Sequence, residues 1–294
     1  MILESAHMTL PTPARKSRRR LIDAAVLAVL FAAVPFPRAA EASDVVEVAP
    51  PFHYPFTVDG RLEESGLTEN SSSPYWWASS GGYMTLKDGR GSTIHGDLPL
   101  NSRWRELYAR NSPIDTDGGL HPQNIFRMTT RDRWRDVAQE MSFRIERTNM
   151  SASLRRGPSN GLWQMSRYAD HDNLYYSGVR VDGLAVIKKK YRGRYYTLAK
   201  TKVVSGWYDR TFNPNLLPED TWIRLRTTTR NLDTRRVLIR LEADFGATGT
   251  WKKLLEVVDD GSLGGGALLG SGSTGIRTDF MDVTFDDFVL TKAW

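Results

Sequence analysis

Residues 236–244 set the pattern for the chain. Val237, Ile239, Leu241 and Ala243 are apolar, while Arg236, Arg240, Glu242 and Asp244 between them are charged. This period of two predicts a strand with one buried and one wetted face. Runs rich in aromatic and β-branched residues recur at 125–130, 138–148, 161–168, 173–181, 184–190, 194–199, 222–229, 251–258 and 282–291, and all predict strands. Asp182-Gly183 between two of these runs predicts a two-residue hairpin, and Arg192-Gly193 turns the next pair. Helical periodicity is confined to a short piece at 102–110. Ten or more short strands without alternating helices predict an all-β fold, a two-sheet antiparallel jelly-roll sandwich, with a closed barrel as the alternative. Two long loops are expected, at 205–220 and at 261–275. The second holds seven glycines and is expected to be mobile.

Composition narrows the class. With 40% hydrophobic and 25% charged residues, the chain is globular rather than disordered or membrane-embedded. It has no cysteine, which excludes thiolate metal sites, cysteine nucleophiles and disulfide scaffolds. Its 294 residues can bury a core without such staples.

The net charge of +6 divides on inspection. A basic stretch at 15–20, an apolar run at 24–34 and Ala40-Glu41-Ala42 form a signal peptide over residues 1–42. Ser17-Arg18-Arg19-Arg20-Leu21 resembles a twin-arginine export signal. The apolar run is too short for a stable membrane anchor, so the expectation is an exported protein, periplasmic or extracellular. The mature chain keeps 34 Lys+Arg against 31 Asp+Glu. Residues 43–55 form a lead-in and 56–294 a single domain, expected to be a monomer.

The closing run Gly275-Ile-Arg-Thr-Asp-Phe-Met-Asp-Val-Thr-Phe-Asp-Asp-Phe-Val-Leu resembles the last strand of the concanavalin A-like lectin/glucanase superfamily. The preceding order is similar too, with Trp222-Ile-Arg-Leu-Arg followed by Arg236-Val-Leu-Ile-Arg-Leu. The resemblance implies a jelly roll whose concave sheet holds a glycan. The superfamily includes glucanases, alginate lyases and laminin-G-like binding modules, so it implies carbohydrate without choosing a reaction.

The densest chemistry lies between Arg180 and Lys202, with eight basic residues against the single acid Asp182. Tyrosines 175, 176, 191, 195 and 196 are interleaved with it or flank it. On strands, Tyr176 and Arg180 share one face and Tyr175 the other, while Lys188 and Lys190 point together, opposite Lys189. Such a surface suits an anionic polysaccharide, because cations pair with uronate carboxylates and aromatic faces stack on sugar rings. The plain alternative is a lysine run that solvates an edge strand.

β-Elimination on a uronate needs a group to neutralise the carboxylate, a base for the C5 proton and an acid for the leaving oxygen. Arg144, Arg180, Gln139 and Lys188 are candidate neutralisers. Tyr176, Tyr175, His171 and His95 are candidate bases and acids. Lys190, Tyr195 and Trp163 join Tyr175 and Lys188 as candidate substrate contacts, Trp163 serving either groove or core. Tyr175-Tyr-Ser-Gly-Val-Arg180 is distantly similar to the aromatic-Lys-Ala-Gly-Val-Tyr strand of jelly-roll alginate lyases. Arg180 stands where that family has its catalytic Tyr, and Tyr176 where it has Lys. Arg103-Trp-Arg-Glu-Leu loosely echoes the same family's Arg-x-Glu-Leu-Arg strand.

Hydrolysis would need two carboxylates instead. Glu242-Ala-Asp244 begins the Glu-x-Asp-x-x-Glu signature of retaining glucanases, but Gly246 and Ala247 follow without the closing Glu. Glu140 and Glu146 could share one side of a strand. The histidines are scattered, so no cofactor is required for catalysis, and the metal to expect is a structural calcium at Asp59, Asp286 and Asp287. Trp76-Trp77 is expected to plug one end of the sandwich. No nucleic-acid module is present. The expectation is a secreted polysaccharide lyase acting on an anionic polysaccharide, with a glycan-binding module and a glycoside hydrolase as rivals.

Overall fold

In the computed structural model, which describes residues 49–294, the alternation at 237–244 is a strand whose apolar members face inward, Val237, Ile239 and Leu241 being fully buried. Strands in chain order are β1 (Phe52–Tyr54), β2 (Gly60–Glu63), β3 (Trp76–Ser80), β4 (Tyr83–Lys87) and β5 (Arg90–Ser92), then, after the helix α1 (Arg103–Asn111), β6 (Arg127–Thr130), β7 (Val137–Thr148) and β8 (Gly161–Asp170). They continue as β9 (Asn173–Arg180), β10 (Leu184–Tyr191), β11 (Arg194–Lys202), β12 (Trp222–Asn231), β13 (Val237–Phe245), β14 (Lys252–Asp259), β15 (Ser273–Thr278) and β16 (Met281–Lys292). One sheet of nine strands runs β14-β13-β12-β7-β16-β5-β4-β2, with β1 on β16, and a second of seven runs β11-β10-β9-β8-β15-β6-β3. All pairings between these strands are antiparallel. The chain is thus a two-sheet jelly-roll sandwich. β15 and β16, the last strands, insert between early ones in each sheet. The signal-peptide expectation for residues 1–42 lies outside the described residues.

The core between the sheets is aromatic at one end. Trp76 is wholly buried, stacked on Phe56 at 6.1 Å and edge-on to Phe288 at 4.7 Å. Its neighbour Trp77 points to the opposite side of β3 and donates its indole N–H to the Ser65 carbonyl at 2.9 Å. The two tryptophans therefore serve packing on both faces of one strand.

Arg192 and Gly193, at φ 49° and 80°, make the two-residue turn that joins β10 to β11, the conformation that matches strand twist. The β9–β10 connection is one residue longer than expected. Val181 is drawn inward to 4% exposure, its carbonyl accepts the Leu216 N–H at 2.7 Å, and it leaves the turn to Asp182 and Gly183.

The glycine-rich loop departs further from expectation, since it is held in place from three sides. The ammonium of Lys189 donates to the Gly265 carbonyl at 2.7 Å, the Leu268 N–H donates to the Tyr175 hydroxyl at 2.9 Å, and Arg167 donates to the carbonyls of Leu269 and Gly270 at 2.6 and 2.9 Å. Its last residues form β15 rather than coil. The loop's glycines leave the carbonyls open to these donors.

Lys189 is the central element of that anchoring. Its side chain is 0% exposed and pairs with Asp259, 1% exposed, at 2.9 Å. Asp259 also accepts the Tyr175 hydroxyl at 2.6 Å and the Gly261 N–H at 3.2 Å. The pair bridges β10 in one sheet to the end of β14 in the other. Replacing Lys189 by Met strands a buried carboxylate and is expected to lower unfolding stability by about 3–5 kcal/mol, read from urea denaturation. The double variant Lys189→Met/Asp259→Leu should recover much of that loss. An unchanged midpoint for Lys189→Met would contradict the role given to the pair.

Candidate functional site

Strand register decides which side chains meet on the outer face of the seven-stranded sheet. Met165, Tyr176, Lys188 and Thr197 lie in one cross-strand row over β8, β9, β10 and β11. The adjacent row contains Arg277, Trp163, Gly178 and Val186. Gly178 lets the strands approach closely, for a Cβ there would stand 2.0 Å from the Leu162 carbonyl oxygen.

Above these rows lies a cavity of about 560 Å³. Its sheet side is formed by Trp163, Tyr176, Arg180, Lys188, Tyr195 and Arg277, and its walls by Asp115, Leu154, Arg155, residues 157–160 and Asp279-Phe280. Four cations, Arg155, Arg180, Lys188 and Arg277, stand against two carboxylates, Asp115 and Asp279. Both carboxylates are engaged. Asp115 accepts the Ser153 hydroxyl and an Arg155 guanidinium N–H, each at 2.6 Å. Asp279 accepts Arg277 Nε at 2.7 Å and the Trp163 indole N–H at 3.1 Å.

Lys188 sits at the floor. Its Nζ is 3.9 Å from the Trp163 ring centre, 5.1 Å from Tyr195 and 5.3 Å from Tyr176. Three ring faces thus hold an ammonium that has no protein oxygen as hydrogen-bond acceptor among the described residues. Burial pushes the Lys188 amine down to about 8; Arg277 and Arg180 add to this, and Asp279 opposes it. Burial raises the Tyr195 phenol, and the Tyr176 phenol beside it adds to that shift. Burial works against the charge of Arg277, yet Asp279 with the two phenols outweighs it and holds the guanidinium charged.

The structure therefore brings Tyr176, Arg180, Lys188, Tyr195 and Trp163 into one cavity. Trp163 is 1% exposed and Tyr176 2%, so these rings are occupied by Lys188, leaving Tyr195, 51% exposed, as the ring open to a ligand. The other candidates fall elsewhere. Tyr175 faces the sandwich interior and spends its hydroxyl on Asp259. Gln139 is buried between the sheets, donating to the Gly275 carbonyl at 2.8 Å. Arg144 lies on the other sheet, paired with Glu146 at 2.8 Å. His171 occupies the exposed β8–β9 turn beside Asp172, and Lys190 is held at that turn by the His171 carbonyl at 2.7 Å. His95 is exposed outside the cavity.

Glu140 and Glu242 both pair with Arg226, at 3.3 and 2.8 Å, within the charged surface of the nine-stranded sheet. Asp59 accepts the Asp88 N–H at 3.1 Å, and Asp287 occupies the irregular turn of β16 at φ 53°. Among the described residues no three His, Asp or Glu side chains gather to hold a metal ion. Arg277, Asp279, Arg155 and Asp115 belong to the cavity but were absent from the sequence expectation. The spacing of Arg277 and Asp279, two apart in the run that resembles a closing strand, was the available signal.

No protein-family model matches the sequence, and no curated protein matches it. Among solved structures, the chain is similar to a carbohydrate-binding module, CBM66, from Bacillus subtilis, at 13% identity over 58% of this chain and 83% of that one, with a TM-score of 0.40. It is similar to the GH43 BlXynB protein of Bacillus licheniformis at 13% identity and TM-score 0.42, over 82% of this chain but 39% of that one, so it spans about two fifths of that protein. The Bacillus licheniformis β-glucanase gives 7% identity and TM-score 0.42, over 84% and 100% of the respective chains.

The depressed Lys188 predicts a sign for stability against pH. Below pH about 8 its ammonium is buried at a cost. Between there and the ordinary lysine range, roughly 10.4, the folded state sheds the proton first and the cost is relieved. Lys188→Met is therefore expected to be more stable than wild type near neutral pH, by on the order of 1 kcal/mol, with the gap narrowing as pH rises through that window. Urea midpoints at neutral and alkaline pH check this, and a gap independent of pH would contradict it.

Proposed function

We propose that the chain is an exported carbohydrate-active protein that binds an anionic, uronate-containing polysaccharide on the outer face of the seven-stranded sheet and cleaves it by β-elimination. The observation that carries this reading is the cavity's excess of cations, with Arg155, Arg180, Lys188 and Arg277 surrounding a space whose two carboxylates already have partners. Guanidinium groups pair with a carboxylate in two-pronged geometry. Such pairing withdraws charge from the uronate and stabilises the carbanion-like state that forms when its C5 proton leaves. The half-exposed Tyr195 supplies a ring for the sugar face and a phenol beside the leaving oxygen.

This chemistry favours elimination over hydrolysis. A glycosidase needs two free carboxyl groups flanking the bond, and Asp115 and Asp279 are committed to Ser153, Arg155, Trp163 and Arg277. Among the four cations Arg155 pairs with Asp115, Arg277 with Asp279 and Arg180 with Asp182 at 2.6 Å. That leaves Lys188 as the one without a paired carboxylate among the described residues, while the Arg155 side chain stays 81% exposed and accessible to a ligand.

The test is to incubate the mature chain with alginate, glucuronan and pectate while following the ultraviolet absorbance of unsaturated uronates. A rise is expected with at least one polymer, and Arg277→Lys should reduce kcat/KM by about tenfold or more, since the two-pronged seat is lost. Binding should weaken steeply with salt. Gel retardation without absorbance would leave binding alone, and new reducing ends without absorbance would replace elimination by hydrolysis.

A further inference from the structure

Within that elimination reading, on which the following rests, we propose that the neutral amine of Lys188 is the base that removes the C5 proton, and that the Tyr195 phenol protonates the leaving oxygen. The argument begins with a division of labour among the cations. Arg155, Arg180 and Arg277 cannot give up their protons in a protein, so they can neutralise a carboxylate but not accept a proton. Lys188 is the cavity's one cation able to do so. It is also the one whose donors are directed at no carboxylate. Lys189 next to it has Asp259 at 2.9 Å and Lys190 has Asp172 at 3.2 Å, whereas the amine of Lys188 lies against rings with no carboxylate paired to it.

The surroundings of the amine act in one direction. Arg180 and Tyr176 approach from β9, Arg277 from β15, Tyr195 from β11, and Asp279 with the loop residues Asp115 and Arg155 completes the charged set round the cavity. Burial and two guanidiniums disfavour a further positive charge, while the nearest carboxylate, Asp279, is already taken up by Arg277 and Trp163. The amine is thus poised to lose its proton near pH 8, where a base is most effective. Tyr195 is shifted the opposite way. A phenol that holds its proton is a poor base and an available acid.

The proton and electron count closes without any additional reactant. The amine lone pair takes the C5 proton, and the C–H electron pair becomes the C4=C5 double bond. The C4–O bond breaks, its electrons leave on the glycosidic oxygen, and that oxygen takes the Tyr195 proton. The resulting ammonium then returns a proton to the phenolate through solvent. Arg277 and Arg180 hold the carboxylate throughout.

Two variants separate a base from a mere positive charge. Lys188→Arg keeps the charge, so polymer retention in a gel should persist while kcat falls by roughly 10²-fold or more. Lys188→Ala should regain turnover when small primary amines are added, in proportion to their free-base concentration. The wild-type kcat/KM should rise with pH, half-maximal near 8, and level off above that. Unsaturated product from Lys188→Arg at close to the wild-type rate would overturn the assignment of Lys188 while leaving elimination intact. No unsaturated product from wild type on any polymer would overturn elimination, and the base with it.

Discussion

The buried ion pair between Lys189 and Asp259 sets the constraint from which the site follows. A strand has a side-chain period of two, so fixing one residue inward fixes its neighbours outward. Lys189 cannot slip by one position without carrying its charge out of reach of Asp259 and leaving that carboxylate buried and unpaired. Taking two charges out of water is costly. Here the cost is offset by the Tyr175 hydroxyl and the Gly261 N–H on Asp259, and by the Gly265 carbonyl on Lys189. One interaction thereby fixes the register of β10, ties the two sheets together and holds the glycine-rich loop.

With β10 held in this register, Lys188 must stand on the outer face, opposite Tyr176 on β9 and Thr197 on β11. The same parity brings Trp163 and Arg277 up from β8 and β15. The walls come from chain segments remote in sequence, the loop of residues 154–160 and Asp115, which are linked to each other by the Ser153 and Arg155 bonds. The cavity is therefore a rigid sheet floor with hydrogen-bonded loop walls, an arrangement suited to holding reacting groups at fixed distances.

Much of this was legible from alternation alone. From β7 to β14 the strands are long enough for period two to assert itself, and the shared facing of Tyr176 with Arg180, and of Lys188 with Lys190, followed from counting positions. That the two pairs meet on one face depends on the extra residue in the β9–β10 connection, which a two-residue hairpin would have placed out of step. What escaped had physical reasons. The strands from β1 to β5 have only three to five residues each, too few for a pattern, and serine and glycine dilute them. Lys189 read as one of three solvated lysines because its partner Asp259 lies 70 residues away. Tyr175 and Gln139 carry polar groups that local sequence cannot distinguish from site groups, and both are consumed by contacts inside the sandwich. Arg277 lay in a stretch whose resemblance to a closing strand drew attention to its fold rather than to its charge.

Three consecutive lysines thus meet two kinds of partner, carboxylates at Lys189 and Lys190 and aromatic rings at Lys188, and the difference between them is the difference between structure and chemistry. A carboxylate beside an ammonium stabilises the charged form and orients it, which suits the anchoring role of Lys189. Aromatic faces attract a cation too, but they offer no strong acceptor for its hydrogens and no counter-charge to retain them once two guanidiniums stand nearby. Lys188 is consequently held against these rings while its protons remain uncommitted to any protein oxygen among the described residues. A carboxylate in place of Trp163 would hold the same nitrogen in the same place and fix it as a cation. The ring cage favours the ammonium less strongly than a carboxylate would, so burial and the two guanidiniums can tip the amine toward its neutral form, and that is the property a proton-transferring group requires.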